Sequence, residues 1–448
     1  MTCKCGYQNH SDAKYCGGCG RKLYQGERIS KKVMALVAVC LLITGIGIGN
    51  MLPSFGSSAG ESGQNKGLGD ILARNAEITQ VLPIDDGSIA ALYNDGTVRV
   101  SENSPFWGEV FDWKNVEKLY YNKTYEWRKG GSLEFPVLFG LTKDGSVLST
   151  DGSLSGWTNV KELHFTWQGA VGVTNDGRIL VDATWEDEFS QTALAGMKNV
   201  ETLVYSDIQS TFACLKNDGT VYLISENGYL DPYEVHWNNV KEVRDSGHSF
   251  YVIKKDGTVD GGVEDDQSGL DGAAKVVDYE DWLFGISADG RLLTHNGGNI
   301  DPNTGDLWVA DINDPYDNAN AIDINQFEQV KDIVPFGGLV VLNEDGTVQF
   351  LGAYPDWNFS NWYDVQKVYG VWNKELNSKS LYGIRQDGSI IVNRYDQSAN
   401  SQTVTGQYRG WKLKELYCAE GGVIGLTTDG SLVGDGIFEN VDFSVFNR

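Results

Sequence analysis

Short apolar runs interrupted by Asp-Gly recur through most of the chain. The pair stands at Asp95-Gly96, Asp144-Gly145, Asp176-Gly177, Asp218-Gly219, Asp256-Gly257, Asp289-Gly290, Asp345-Gly346, Asp387-Gly388 and Asp429-Gly430. A stretch such as LFGLTK (138–143) or YGIRQ (382–386) precedes it, and one such as SVL or TVYLI follows. Two apolar runs around Asp-Gly predict a β-hairpin, because the turn needs a positive φ that Gly and Asp tolerate. The nine aspartates are read as turn residues rather than as calcium ligands or catalytic groups.

A second element lies upstream of most hairpins. It reads Trp113-Lys-Asn-Val116, Trp157-Thr-Asn-Val160, Met197-Lys-Asn-Val200, Trp237-Asn-Asn-Val240, Phe327-Glu-Gln-Val330 and Trp362-Tyr-Asp-Val365, with a shortened Trp411-Lys-Leu413. A large ring, an aliphatic three positions later and often another three on suit a turn running into a strand. The ring is then expected in the packing between units. One hairpin plus one strand cannot bury both of its faces, whereas units stacked radially cover one another, so the repeat predicts a β-propeller. Spacings run from 32 residues (Asp144 to Asp176) to 56 (Asp289 to Asp345), which leaves open whether every hairpin owns a blade.

These units, with Trp-x-x-Val-x-x-Leu followed by Gly-Leu-x-x-Asp-Gly-Ser-Val at 113–119 and 140–147, resemble the bacterial branch of the RCC1-like propeller family over residues 78–440. The resemblance rests on repetition rather than on one copy. It implies an all-β RCC1-like β-propeller of seven to nine blades over residues 76–448, serving as a binding platform. Relatives include eukaryotic exchange factors and a secreted bacterial inhibitor of β-lactamases, so no target follows from the fold.

The first 75 residues are of another kind. Cys3-Lys-Cys5-Gly6 and Cys16-Gly-Gly-Cys19-Gly20 place four thiols in two Gly-terminated pairs, the donor set of a tetrahedral structural zinc. Residues 1–23 resemble the short zinc ribbons at the N-termini of bacterial and archaeal membrane proteins, which implies Cys3, Cys5, Cys16 and Cys19 as zinc ligands. A basic juxtamembrane segment, 24–32, leads into the uncharged run VMALVAVCLLITGIGIGNML at 33–52. Twenty residues of helix span about 30 Å, the thickness of a bilayer core. Arg28, Lys31 and Lys32 abut its start and Lys66 is the first basic residue after it, so the ribbon is expected in the cytoplasm and the bulk outside. A cleaved signal peptide is the competing reading. The Gly- and Ser-rich stretch 53–75 reads as a flexible tether.

Charge divides the chain the same way. The first 55 residues carry +5, against a total of −25, which leaves −30 for the remainder. A surface that acidic repels phosphate backbones, so nucleic acid is set aside as a partner of the propeller, and a neutral or cationic protein or a cell-envelope glycan is expected. The isolated Cys214 and Cys418 are read as buried small hydrophobes rather than as a disulfide. Candidate contact residues follow the first strand of each unit on one expected face: Tyr121, Trp167, Tyr205, His248, Trp282, Phe336 and Trp372. Exposed aromatics gathered on one face favour partner binding, and the competing reading has several of them capping the core. The acidic insertion near Asp301, Asn303 and Asp306 offers oxygen ligands for calcium without matching an EF-hand loop. The expected activity is that of a membrane-anchored binding or sensing module with no catalytic residue assigned. An envelope hydrolase using a pair of carboxylates is the alternative.

Overall fold

A computed structural model describes residues 76–446 apart from 85–86, 129–130, 167, 184–187, 227–232, 236, 246–249, 262–267, 280–281, 295–298, 301–306, 309–323, 325–326, 337, 352–358, 374–377, 397–400 and 406–407. The four ribbon cysteines, the apolar run, the tether and Asp301, Asn303 and Asp306 lie outside the described residues. Residues 76–448 form one compact unit. Among the described residues no helix is long and apolar enough to cross a membrane.

The unit is all-β, and among the described residues it holds nine small antiparallel sheets of three or four strands in chain order. Sheet 1 joins Ile78–Pro83, Ile89–Tyr93 and Val98–Val100. The first strands of sheets 2 to 9 are Val116–Arg128, Val160–Thr166, Val200–Ser206, Val240–Asp245, Ala273–Tyr279, Val330–Pro335, Val365–Asn373 and Leu413–Ala419. Each pairs with a second strand, which turns through Asp-Gly into a third, and sheets 4 and 8 add a fourth. Every Asp-Gly hairpin therefore lies in a sheet of its own. Among the described residues one α-helix of nine residues, α1 (Glu188–Gly196), lies in the connection from sheet 3 to sheet 4. A two-stranded ladder, Asn299–Ile300 with Leu307–Trp308, sits in the insertion between sheets 6 and 7.

The turn itself differs from the two-residue form that Asp-Gly suggests. In sheet 1 the Gly96 N–H donates to Tyr93 O at 2.8 Å and the Tyr93 N–H to Thr97 O at 3.0 Å, which encloses three residues. Only the glycine is left-handed, at φ 78°, and none of the nine aspartates is. This is the three-residue loop ending in a glycine bulge, and it frees the Asp side chain to act as a cap. Asp95 Oδ1 accepts the Thr97 N–H at 3.0 Å and the Thr97 hydroxyl at 2.6 Å.

Neighbouring sheets are joined at that same glycine. The Val116 N–H, at the start of sheet 2, donates to Gly96 O at 3.0 Å, and Val160 to Gly145, Val200 to Gly177, Val240 to Gly219, Val330 to Gly290, Val365 to Gly346 and Leu413 to Gly388 repeat the bond. At the step from sheet 5 to sheet 6 the donor is the Gly272 N–H, to Gly257 O. The residue before the valine is left-handed: Asn115, Asn159, Asn199, Asn239, Gln329 and Asp364 have φ between 56° and 62°. Asn and Asp adopt this region at least cost among residues with a Cβ, which explains why the motif reads Trp-x-Asn-Val and not simply ring-x-x-aliphatic.

Side-chain packing follows the same order. One apolar cluster fills the space between each sheet and the next; for example, Val137, Phe139 and Val147 of sheet 2 pack with Leu154, Val160 and Leu163 at sheet 3. The tryptophans before the first strands belong to these clusters. Trp113 and Trp362 are buried, while Trp157, Trp237 and Trp411 are half-buried at the cluster edges. A Cβ at Gly140, Gly172 or Gly383 would stand 2.9, 2.7 or 2.7 Å from the ring of Trp113, Trp157 or Trp362. The glycine two positions before the turn-side end of these second strands is thus the surface on which the ring lies.

Sheet 9 also packs against sheet 1, through a different device. Val81, Ile89, Ala91 and Tyr93 share a cluster with Ile424, Leu426, Leu432, Phe438 and Phe446. The C-terminal segment supplies Phe438 and Phe446, and its 3-10 turn, Phe443–Phe446, reaches sheet 1. The Tyr93 hydroxyl donates to Phe446 O at 2.6 Å, and Arg99 to Val445 O at 2.5 Å.

Candidate functional site

First strands of most neighbouring sheets touch, and the polar side chain two positions into each strand bridges several of those contacts. Gln80 Nε2 donates to Leu119 O and its Oε1 accepts the Leu119 N–H, both at 2.9 Å. The Thr202 hydroxyl donates to Glu162 Oε2 at 3.0 Å. Lys275 pairs with Asp332 and Lys367 with Glu415, and Arg244, four positions into its strand, reaches Val276 O at 3.3 Å. Each of these groups is committed to a neighbouring sheet, so the belt joins sheets rather than offering open ligand groups.

The ends where first strands turn into second strands present the candidate contact residues, and their environments differ. Tyr121 lies within the first strand of sheet 2, half-buried on the cluster between sheets 1 and 2. Tyr205 is half-buried against Phe212, ring centroids 4.6 Å apart, and its hydroxyl donates to Glu226 Oε2 at 2.9 Å. Phe336 packs on the cluster between sheets 7 and 8, and a Cβ at Gly370 would stand 2.4 Å from its ring. These three therefore pack half-buried against core clusters. Trp167 and His248 lie outside the described residues. Trp282 begins the second strand of sheet 6, and its side chain lies outside the described set. Trp372 alone among the four described aromatics is exposed, at 51%.

Trp372 lines an open cleft of about 360 Å³ between sheets 8 and 9, with Gly370, Val371, Cys418, Ala419 and Glu420. Below the cleft Glu415 accepts from both Lys367 and the Tyr369 hydroxyl, which fixes the strand pair. Burial, and then the Glu415 charge, raise the Tyr369 phenol, so it stays a donor. Cys418 is a free and exposed thiol, a correction to its expected burial, while Cys214 is free and buried in the cluster between sheets 3 and 4. Burial raises the Cys214 thiol, which keeps it protonated and inert. Among the described residues, no group of three or more His, Cys, Asp or Glu side chains is arranged to hold a metal.

No protein-family profile matches the chain, and no curated protein does. Solved structures match it at low identity and low TM-score. The computationally designed protein Ika8 is 15% identical over 81% of this chain and 96% of its own, with a TM-score of 0.38. Sqt1 of Chaetomium thermophilum is 14% identical over 70% of this chain and 91% of its own, at 0.35. PorZ of Porphyromonas gingivalis, an essential bacterial surface component of the type-IX secretion system, is 11% identical over 80% of this chain and 62% of its own, at 0.26.

Proposed function

We propose that the nine sheets close into a nine-bladed RCC1-like propeller, carried outside the membrane by the 33–52 span and its tether, with the zinc ribbon on the cytoplasmic side. Packing of sheet 9 on sheet 1 supports closure, since each sheet then has two covered faces. The propeller is a recognition module for a protein partner that presents a Lys or Arg side chain. One observation carries this reading: the exposed Trp372 ring and the Glu420 carboxylate line the same cleft, on a molecule of net charge −25. An aromatic face attracts a cation, a neighbouring carboxylate pairs with it, and the field of the whole unit steers it in. The hydrolase reading is less well supported, because among the described residues the cleft lining contributes one carboxylate where glycoside hydrolysis uses two.

The test is site-specific photo-crosslinking from position 372 of the full chain in intact cells. A discrete protein adduct is expected, reduced by Glu420→Gln and weakened by raising the salt concentration. A saccharide adduct, or a protein adduct indifferent to both Glu420→Gln and salt, overturns the reading.

A further inference from the structure

Glu226 follows the third strand of sheet 4 and is completely buried, an unusual place for a carboxyl group. Its Oε2 accepts the Tyr205 hydroxyl at 2.9 Å. Among the described residues no Lys, Arg or His side chain pairs with it. The titratable groups on the facing elements are Tyr205, Cys214, Lys216 and Tyr222 of sheet 4, Asp207 in the turn after Tyr205, Glu162 and His164 on the first strand of sheet 3, and Glu188 at the start of α1. The cations among them are engaged elsewhere: Lys216 sits 5.3 Å from the Tyr222 ring centroid, and His164 Nε2 lies 3.5 Å from Glu162 Oε2. Taking a carboxylate out of water without a cation beside it disfavours the charged form, so burial raises the Glu226 carboxyl above its ordinary value.

The same residue fastens a turn. Residues 207–210 join the first and second strands of sheet 4, and the Glu226 N–H donates to Ser210 O at 2.8 Å. Ser210 is left-handed at φ 47°, a conformation that a residue with a Cβ adopts only at a cost. Ile208 in the turn is 70% exposed, so its side chain contributes little to holding the turn on the core. Opening this turn is a local motion that admits water to Glu226 while sheets 3 and 4 stay packed. We propose that Glu226 is a pH-operated latch: neutral, it keeps the 207–210 turn shut, and ionised, it releases the turn. The carboxyl gives its proton to solvent, water enters past Ser210 to solvate the charge, and the Tyr205 hydroxyl remains a donor to it. The shut form is favoured fully below the solvated value of the carboxyl, and that preference is lost as pH rises from there through the raised value. The latch lies at the end of the unit where first strands turn into second strands, as Trp372 does, and it stands whether or not that cleft binds a partner.

The experiment is amide hydrogen exchange of the full chain in detergent, read by mass spectrometry from about pH 4.5 to about pH 8.5 and corrected for the chemical exchange rate at each pH. Protection of the peptide covering 206–211 should fall at least about tenfold from the acid to the alkaline end, while the strands of sheet 8 keep theirs. Glu226→Gln, uncharged and still able to accept from Tyr205, should flatten that profile. Tyr205→Phe removes a bond that favours the ionised form, so it should move the midpoint to higher pH, and it decides the matter if Glu226→Gln fails to fold. Wild-type protection that does not change with pH, as an ionised Glu226 solvated by a buried water would give, overturns the proposal. So does a pH dependence that Glu226→Gln retains, or a midpoint that Tyr205→Phe leaves in place.

Discussion

Gly145 and Gly152 share a left-handed backbone, φ 80° and 81°, and differ in what stands beside them. A Cβ on Gly145 would meet Val160 N at 2.7 Å and Asn159 Cα at 2.8 Å, whereas one on Gly152 meets nothing within 4 Å. Gly152→Ala should therefore cost only the backbone penalty, about 1–2 kcal/mol. Gly145→Ala must in addition push apart the backbone joint between sheets 2 and 3, and a loss on the order of 3 kcal/mol is expected from denaturant melts. Equal effects at the two sites would mean that the joint adjusts freely. Asn159 belongs to the same joint. Its left-handed φ of 62° was not readable from the spacing of Trp157 and Val160, although its recurrence at Asn115, Asn199 and Asn239 is the signal that finds it.

At the level of the hairpin, the aspartates make a pH prediction. The carboxyls of Asp144, Asp176, Asp218, Asp289, Asp345 and Asp429 are held below the usual range, first by the hydroxyl of a neighbouring Thr or Ser. Asp256 is lowered first by the Thr258 N–H and Asp387 by Lys412. A carboxyl whose value is depressed on folding adds stability that is fully present above its unfolded value, about 3.9, and is lost as pH falls through the lower folded value. Glu226 is shifted the other way by burial, so its contribution favours the folded state at low pH and is lost as pH rises; it is one group against eight. Denaturant midpoints should hold steady down to about pH 5 and fall steeply below 4, with a shallower fall in Asp218→Asn. A midpoint that rises on acidification would contradict the capping role. The hairpins and their number were legible in the sequence because Asp-Gly between apolar runs is a local signal. Which of the candidate aromatics pack on the core stayed open between two readings, because burial at a strand end depends on the neighbouring sheet, which is distant in the chain.

For the molecule as a whole, eight of the nine sheet contacts join consecutive sheets and carry the backbone bond to a turn glycine. The contact of sheet 9 with sheet 1 has no such continuity and relies on Phe438, Phe446 and the two bonds from Tyr93 and Arg99. Phe438→Ala, which leaves every hairpin intact, should cost on the order of 3–5 kcal/mol in a denaturant melt, and a negligible loss would show that the two sheets are held together otherwise. This seam also sets a clock for the newborn chain. Tyr93 and Phe446 are 353 residues apart in sequence. At synthesis rates of about 5–20 residues per second, the apolar face of sheet 1 waits roughly 20–70 s after leaving the ribosome before its last partner exists. If the chain is exported as proposed, it crosses the membrane during that interval with its first sheet unsealed, and the emergence of Phe438 and Phe446 ends its exposure.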